Sequence, residues 1–149
     1  MEKTYYDTVC VIEDNPIDVL LIEQAITHSN FAREILVFEG PEMALKWFKS
    51  LDPENDQIPE VIFLDLNMPK YNGFELIDKM SVEVNPAVFK KCQFAILTSS
   101  SDPNDVMRSN NYKNVMSYIT KPIEYTDLHP DKFMSHNEKY LRLRSMMWG

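Results

Sequence analysis

Five short apolar runs stand out along this chain, and four of them end on or just before a polar side chain able to do chemistry. The runs are Val9–Ile12, Ile35–Phe38, Val61–Leu64, Phe94–Leu97 and Val115–Thr120. Val9–Ile12 and Val61–Leu64 are apolar at every position instead of alternating, the pattern of central strands covered on both faces. Between the runs, three segments open with a capping residue followed by proline, which suits the first turn of a helix. Asn15-Pro16 predicts a helix through about Ser29, with Val19, Leu20, Ile22, Ala25 and Ile26 as its apolar positions. Gly40-Pro41 predicts one through Ser50, containing Met43, Ala44, Trp47 and Phe48, and Asp102-Pro103 a shorter one with Val106 and Met107. A last helical stretch is expected from Tyr125 to about Arg144, its start delayed or kinked by Pro130. Phe133, Met134, Tyr140, Leu141 and Leu143 would form its core stripe, with Met146-Met147-Trp148 beyond that need.

Strand and helix therefore alternate, which predicts an α/β fold: a flavodoxin-like (βα)5 doubly wound parallel sheet of order 2-1-3-4-5 with right-handed crossovers. Two connections exceed the usual length, Leu51–Glu60 and Ser81–Lys91, and both read as surface insertions in one domain spanning residues 1–149.

Composition narrows the function. The formal net charge of -8 opposes binding to a phosphate backbone, which needs clustered Lys and Arg. No apolar run approaches the roughly 18 residues of a membrane span, and the charged start Met1-Glu2-Lys3 lacks a signal-peptide core, so a cytoplasmic location is the expectation. The three glycines, Gly40, Gly73 and Gly149, leave neither a G-x-G-x-x-G fingerprint nor a G-x-x-x-x-G-K phosphate loop. Cys10 falls in the first strand and Cys92 just before the fourth, and those strands would not be neighbours, so both are expected as unbridged thiols.

In a parallel sheet all strands point one way, so the residues at their ends gather along one rim, where such sheets bind ligands. Here that rim would carry Glu13 and Asp14 after the first strand, Asp65 after the third, Thr98 after the fourth and Lys121 after the fifth. Carboxylates about 4 Å apart repel by roughly 4 kcal/mol per pair at an effective dielectric near 20. Three of them together raise a pKa or hold a cation, and an oxygen-only set with an open face suits Mg2+ or Mn2+. Zinc is disfavoured, because His28, His129 and His136 have no ligand spacing and lie off the rim. Asp65 is the candidate nucleophile, since carboxylates form acyl-phosphate intermediates, and Lys121 would meet phosphoryl oxygens as a point charge. Gly73 marks a place needing unusual backbone angles or a close approach.

Glu13-Asp14, the stretch Val61–Pro69 with Gly73, Ile96-Leu97-Thr98 and Tyr118-Ile119-Thr120-Lys121-Pro122 together resemble the receiver domain of two-component response regulators. The resemblance spans essentially the whole chain and is of the stand-alone, chemotaxis type. The two long connections add a weaker likeness to the subgroup partnered with phytochrome-like histidine kinases. The resemblance implies that Asp65 accepts phosphate from a sensor histidine kinase, and that Glu13, Asp14, Asp65 and the Asn67 carbonyl hold Mg2+ (or Mn2+). It further implies that Thr98 and Lys121 read the phosphoryl group, that Lys121-Pro122 is cis, and that Tyr118 is the switch aromatic moving with Thr98. Such a protein is a phosphoacceptor and not an enzyme acting on external substrates. Ser99 stands where the family more often has a smaller residue, and Asn67 and Ser100 occupy positions that tune autodephosphorylation, so the phosphoryl lifetime is left open.

Three other readings stay beside this one. A relay intermediate would pass the phosphoryl group from Asp65 to a histidine phosphotransfer domain instead of a downstream protein target. A binding module would act without phosphorylation. A haloacid-dehalogenase-like phosphatase also uses an aspartyl phosphate, but with its nucleophile on the first strand and an acid two residues on, whereas Asp65 is on the third and is followed there by Asn67. Homodimerisation is not fixed by the sequence.

Overall fold

The computed structural model describes residues 4–99 and 102–129. Five parallel strands, β1 (Tyr6–Ile12), β2 (Ala32–Phe38), β3 (Val61–Asp65), β4 (Gln93–Thr98) and β5 (Val115–Thr120), form one sheet in the order β2-β1-β3-β4-β5. The helices between them are α1 (Pro16–His28), α2 (Pro41–Lys49), α3 (Gly73–Glu83), α4 (Pro86–Phe89) and α5 (Pro103–Ser109). The expected flavodoxin-like order is the observed one.

Side-chain alternation sorts the core into two layers. Cys10, Ile12, Ile62, Leu64 and Phe94 face Ala44 and Phe48 of α2 and Leu76, Ile77 and Met80 of α3. Val9, Val11, Val61, Phe63, Ala95 and Leu97 face Ile22, Ala25 and Ile26 of α1, with Phe31 closing the end. Because both faces are covered, every residue of β3 is buried, which is why its sequence reads as an unbroken apolar run ending in a carboxylate. Cys10 and Cys92 are free and buried in the first layer, with β3 lying between their strands. Burial pushes the Cys92 thiol up to about 12 and Cys10 well above the ordinary range, so neither is a reactive thiolate.

Helix starts follow the local chemistry. The Asn15 side chain accepts from the Ile17 and Asp18 N–H groups at 2.9 and 3.3 Å, and Pro16 sits at the first helical position. Asp102 caps α5 through the Asn104 N–H at 2.9 Å. Gly40 makes no side-chain cap, leaving Pro41 as the start signal of α2. Helix α3 begins without proline on a capping box in which Asn72 and Glu75 each accept from the other's backbone N–H.

Two expectations need correction. Ser81–Lys91 is not a surface insertion: α3 extends to Glu83, and Asn85-Pro86 repeats the cap-then-proline signal to open α4. Met80, Val84 and Val88, four residues apart, are all buried, so this segment completes the core instead of decorating it. The other long connection, Leu51–Glu60, is a loop, yet it anchors Leu51 and Ile58 in the same core layer. The two touch where the Lys91 Nζ donates to the Pro53 carbonyl at 3.3 Å. The second correction concerns the end: Tyr125–Leu128 is a 3-10 turn, with Leu128 buried, and not the first turn of a long α-helix. The rest of the expected last helix, including Phe133 and the Met146-Met147-Trp148 end, falls outside the described residues, as does Ser100.

Gly73 answers to close approach, not to backbone angle. A Cβ there would lie 2.9 Å from the Asp65 carbonyl oxygen and 3.1 Å from both Leu64 Cγ and Leu66 Cδ2. The turn after Asp65 can fold back onto β3 only because that atom is missing, and the Gly73 N–H then donates to the Leu66 carbonyl at 3.1 Å. Gly73→Ala is therefore expected to cost about 1–3 kcal/mol, as overpacking against fixed backbone does. Urea unfolding at constant m-value measures it, and an unshifted midpoint would contradict the close approach.

Candidate functional site

The ends of β1, β3, β4 and β5 deliver the expected residues to one rim. Ligand oxygens of Glu13, Asp14 and Asp65 all lie within 4.8 Å of one another. Glu13 and Asp65 are 1% and 4% exposed, whereas Asp14 faces solvent. Buried carboxylates need donors, and the backbone supplies some. The Asn15 N–H donates to Glu13 Oε1 at 3.1 Å, and the Asn67 N–H to Asp65 Oδ1 at 3.2 Å. Glu13 and Asp65 also share a side-chain hydrogen bond. Thr98, fully buried, ends β4, and its carbonyl accepts from the Lys121 N–H at 2.8 Å. Lys121-Pro122 is cis, as the resemblance implied.

Among the described residues, one cation serves this cluster. The Lys121 ammonium lies 2.8 Å from Glu13 Oε2, 2.9 Å from Asp18 Oδ2 and 3.5 Å from Asp65 Oδ1. Burial pushes Glu13 up to about 7; the bonds from Lys121 and the Asn15 N–H pull it back, and the Asp65 charge adds to the rise. Asp65 is raised as well, by burial first, with the Asn67 N–H and Lys121 opposing. Burial alone would depress Lys121, but its bonds to Glu13 and Asp18 and the charge of Asp65 outweigh that and hold it above the usual lysine range. Burial thus raises both acids, whereas the surrounding carboxylates raise the lysine, so acids and base alike bind protons more tightly. An all-oxygen set with surplus negative charge and an exposed member fits a hard divalent cation that keeps waters, and Glu13, Asp14 and Asp65 could hold one.

Tyr118 on β5 packs half-buried against Leu66, Phe74 and Ile96. Its hydroxyl and that of Thr98 share a hydrogen bond, while burial and then the Asp105 charge raise its pKa. Threonine and tyrosine thus already communicate. Sequence reasoning missed Asp18. It lies in the first turn of α1, and only the approach of Lys121 across 103 residues gives it a role at the rim. Of the histidines, His28 ends α1 and packs on Tyr125 at 4.7 Å, away from the carboxylates, and His136 falls outside the described residues.

A parallel sheet in this order with a rim of two strand-end acids, a buried strand-end aspartate, a threonine and a lysine before a cis-proline defines a receiver. The chain belongs to that family: the response regulator receiver domain model matches residues 9–131. It is a receiver-domain response regulator of two-component signalling, and its acidic pocket fits the phosphorylation and metal site of the class. Response regulator Rcp1 of Synechocystis sp. is 28% identical over 121 residues, 80% of each chain. A solved Mn(2+)-bound form of Rcp1 superposes with a TM-score of 0.65 at 25% identity, covering 95% of this chain and 94% of that one. A two component response regulator from Cytophaga hutchinsonii gives 0.75 at 27% identity, covering 97% and 99%. The phosphorylated cyanobacterial phytochrome response regulator RcpA gives 0.65 at 27% identity, covering 83% and 86%. Among the described residues no helix is long and apolar enough to cross a membrane.

The proton balance is testable. Glu13 has a folded pKa near 7 against an ordinary 4.5, so the stability it contributes is full below about 4.5 and is lost as pH rises through 7. Glu13→Gln removes that dependence. In the metal-free protein, the stability of the variant relative to wild type should rise by on the order of 1–3 kcal/mol between about pH 5 and about pH 8. Urea unfolding at both pH values measures it; a gap that stays constant or moves the other way refutes the raised pKa.

Proposed function

We propose that Asp65 is the phosphoacceptor and that its phosphorylation by a sensor histidine kinase switches a protein-interaction surface. The observation that carries this reading is the Lys121 ammonium bridging Glu13 and Asp65 beside the exposed Asp14. Asp65 attacks phosphorus through a carboxylate oxygen: a P–O bond forms to Asp65 as the P–N bond to the donor histidine breaks, and the imidazole leaves with the electron pair. Glu13, Asp14, Asp65 and the Asn67 carbonyl would hold Mg2+ or Mn2+. The ion supplies charge neutralisation on the transferred oxygens. Lys121 offers those oxygens its ammonium, and Thr98 its hydroxyl.

The switch follows from what each residue must release. Thr98 turns toward the phosphoryl oxygen and gives up its present bond to Tyr118, which frees the ring against Leu66, Phe74 and Ile96. The surface so altered lies around β4, α5 and β5, where Val106 and Met107 are exposed. The pairing with phytochrome-type kinases rests on the name of the similar structure RcpA, a cyanobacterial phytochrome response regulator. One receiver domain over residues 1–149, working in the cytoplasm on a downstream protein or a histidine phosphotransfer domain, completes the reading. The protein turns over only its own aspartyl phosphate.

Intact-protein mass after incubation with acetyl phosphate and Mg2+ tests it. One hydroxylamine-labile phosphoryl adduct is expected, absent without metal and absent in a folded Asp65→Asn variant. An adduct that persists in Asp65→Asn would sink the assignment, as would catalytic turnover of generic phosphate esters.

A further inference from the structure

Asp18 takes no part in the three-carboxylate cluster, yet it makes one of the two shortest contacts to the lysine that serves it. Its Oδ2 accepts from the Lys121 Nζ at 2.9 Å, with Asp18 29% exposed and Lys121 16% exposed. Its position is fixed by backbone: the Asp18 N–H donates to the Asn15 side chain, and Pro16 locks the first turn of α1. Lys121 is equally constrained, since its N–H donates to the Thr98 carbonyl. An ammonium has three donors, and here the two shortest contacts go to Glu13 and Asp18, leaving Asp65 at 3.5 Å.

From this geometry we infer that Asp18 is a positioning residue that competes with Asp65 for Lys121 and sets both the rate of phosphorylation and the lifetime of the aspartyl phosphate. The inference rests on the reading of Asp65 as phosphoacceptor. Its logic is competition. Glu13 would turn to a divalent cation when one is bound, and the residues that could hold that ion do not include Asp18. Asp18 would then be the carboxylate left to hold the ammonium at the rim. A phosphoryl group on Asp65 must win Lys121 from Asp18, so a shared ammonium stabilises the phosphorylated state less than an undivided one. Both partners are largely withdrawn from solvent, which makes this contact stronger than an exposed surface pair.

Asp18→Asn removes the charge and keeps the shape. With acetyl phosphate at saturating Mg2+, the P–O bond to acetate breaks as the P–O bond to Asp65 forms, and acetate leaves with the electron pair. The variant should accumulate adduct faster and lose it more slowly, each by on the order of 3- to 10-fold. Asp18→Glu, which restores the carboxylate, should return both rates toward wild type. Unchanged or slower labelling in Asp18→Asn, or a variant Glu that behaves like Asn, overturns the inference. A second readout needs no phosphate: the 15N side-chain ammonium resonance of Lys121 in the metal-free protein should shift in Asp18→Asn and recover in Asp18→Glu. A resonance that does not move overturns the inference even if labelling changes. Failure of wild type to label at all, with the Lys121 resonance moving as expected, would instead count against Asp65 as acceptor and leave the contact itself established.

Discussion

Everything at this rim depends on one ammonium shared by too many carboxylates. Lys121 contacts Glu13, Asp18 and Asp65, while Asp14 stands exposed beside them. Such a site is stable only if something absorbs the surplus charge: protons on Glu13 and Asp65, or a divalent cation. Burial raises the pKa of both acids, so in the metal-free protein protons take up part of that charge. A divalent cation would relieve that surplus, whereas the phosphoryl group proposed for Asp65 adds negative charge and so would compete for Lys121.

The fold makes that concentration of charge possible. Parallel register aligns Ile12 with Leu64 and Asp65 with Leu97, so the residues just past these strands fall side by side without any one loop having to be shaped for the purpose. Gly73 then allows the segment after Asp65 to turn back tightly, and the Asn67 N–H points at the Asp65 carboxylate. At the far side, the Lys121 N–H donates to the Thr98 carbonyl, which holds the two residues' backbones side by side. The Thr98–Tyr118 hydroxyl contact extends this linkage from the acidic rim to buried Phe74 and the half-buried Tyr112 and Tyr118 packed on it.

Much of this was legible because it is written in local patterns. Continuous apolar runs marked β1 and β3 as central, and cap-proline pairs marked the starts of α1, α2 and α5. The strand-end positions of Glu13, Asp14, Asp65, Thr98 and Lys121 then followed from parallel topology alone. Asn85-Pro86 carried the same punctuation as the other helix starts, but the length of its segment was read as insertion, and the four-residue spacing of Met80, Val84 and Val88 was overlooked. Asp18 was illegible for a different reason. A carboxylate in the first turn of a helix has an ordinary local role beside the helix dipole, and only the tertiary approach of β5 gives it a partner 103 residues away. Long-range charge pairs leave no periodic trace.

The most direct test of the central claim is a Mg2+ titration of the unphosphorylated protein followed by backbone amide shifts. A single saturating site is expected, with the largest changes at Glu13–Asn15, at Asp65–Asn67 and around Lys121, and with loss of those changes in Glu13→Gln. Shifts that fail to saturate, or that centre on other acidic segments such as Asp52–Asp56, would contradict the account that surplus carboxylate charge at this rim is what the site exists to bind through.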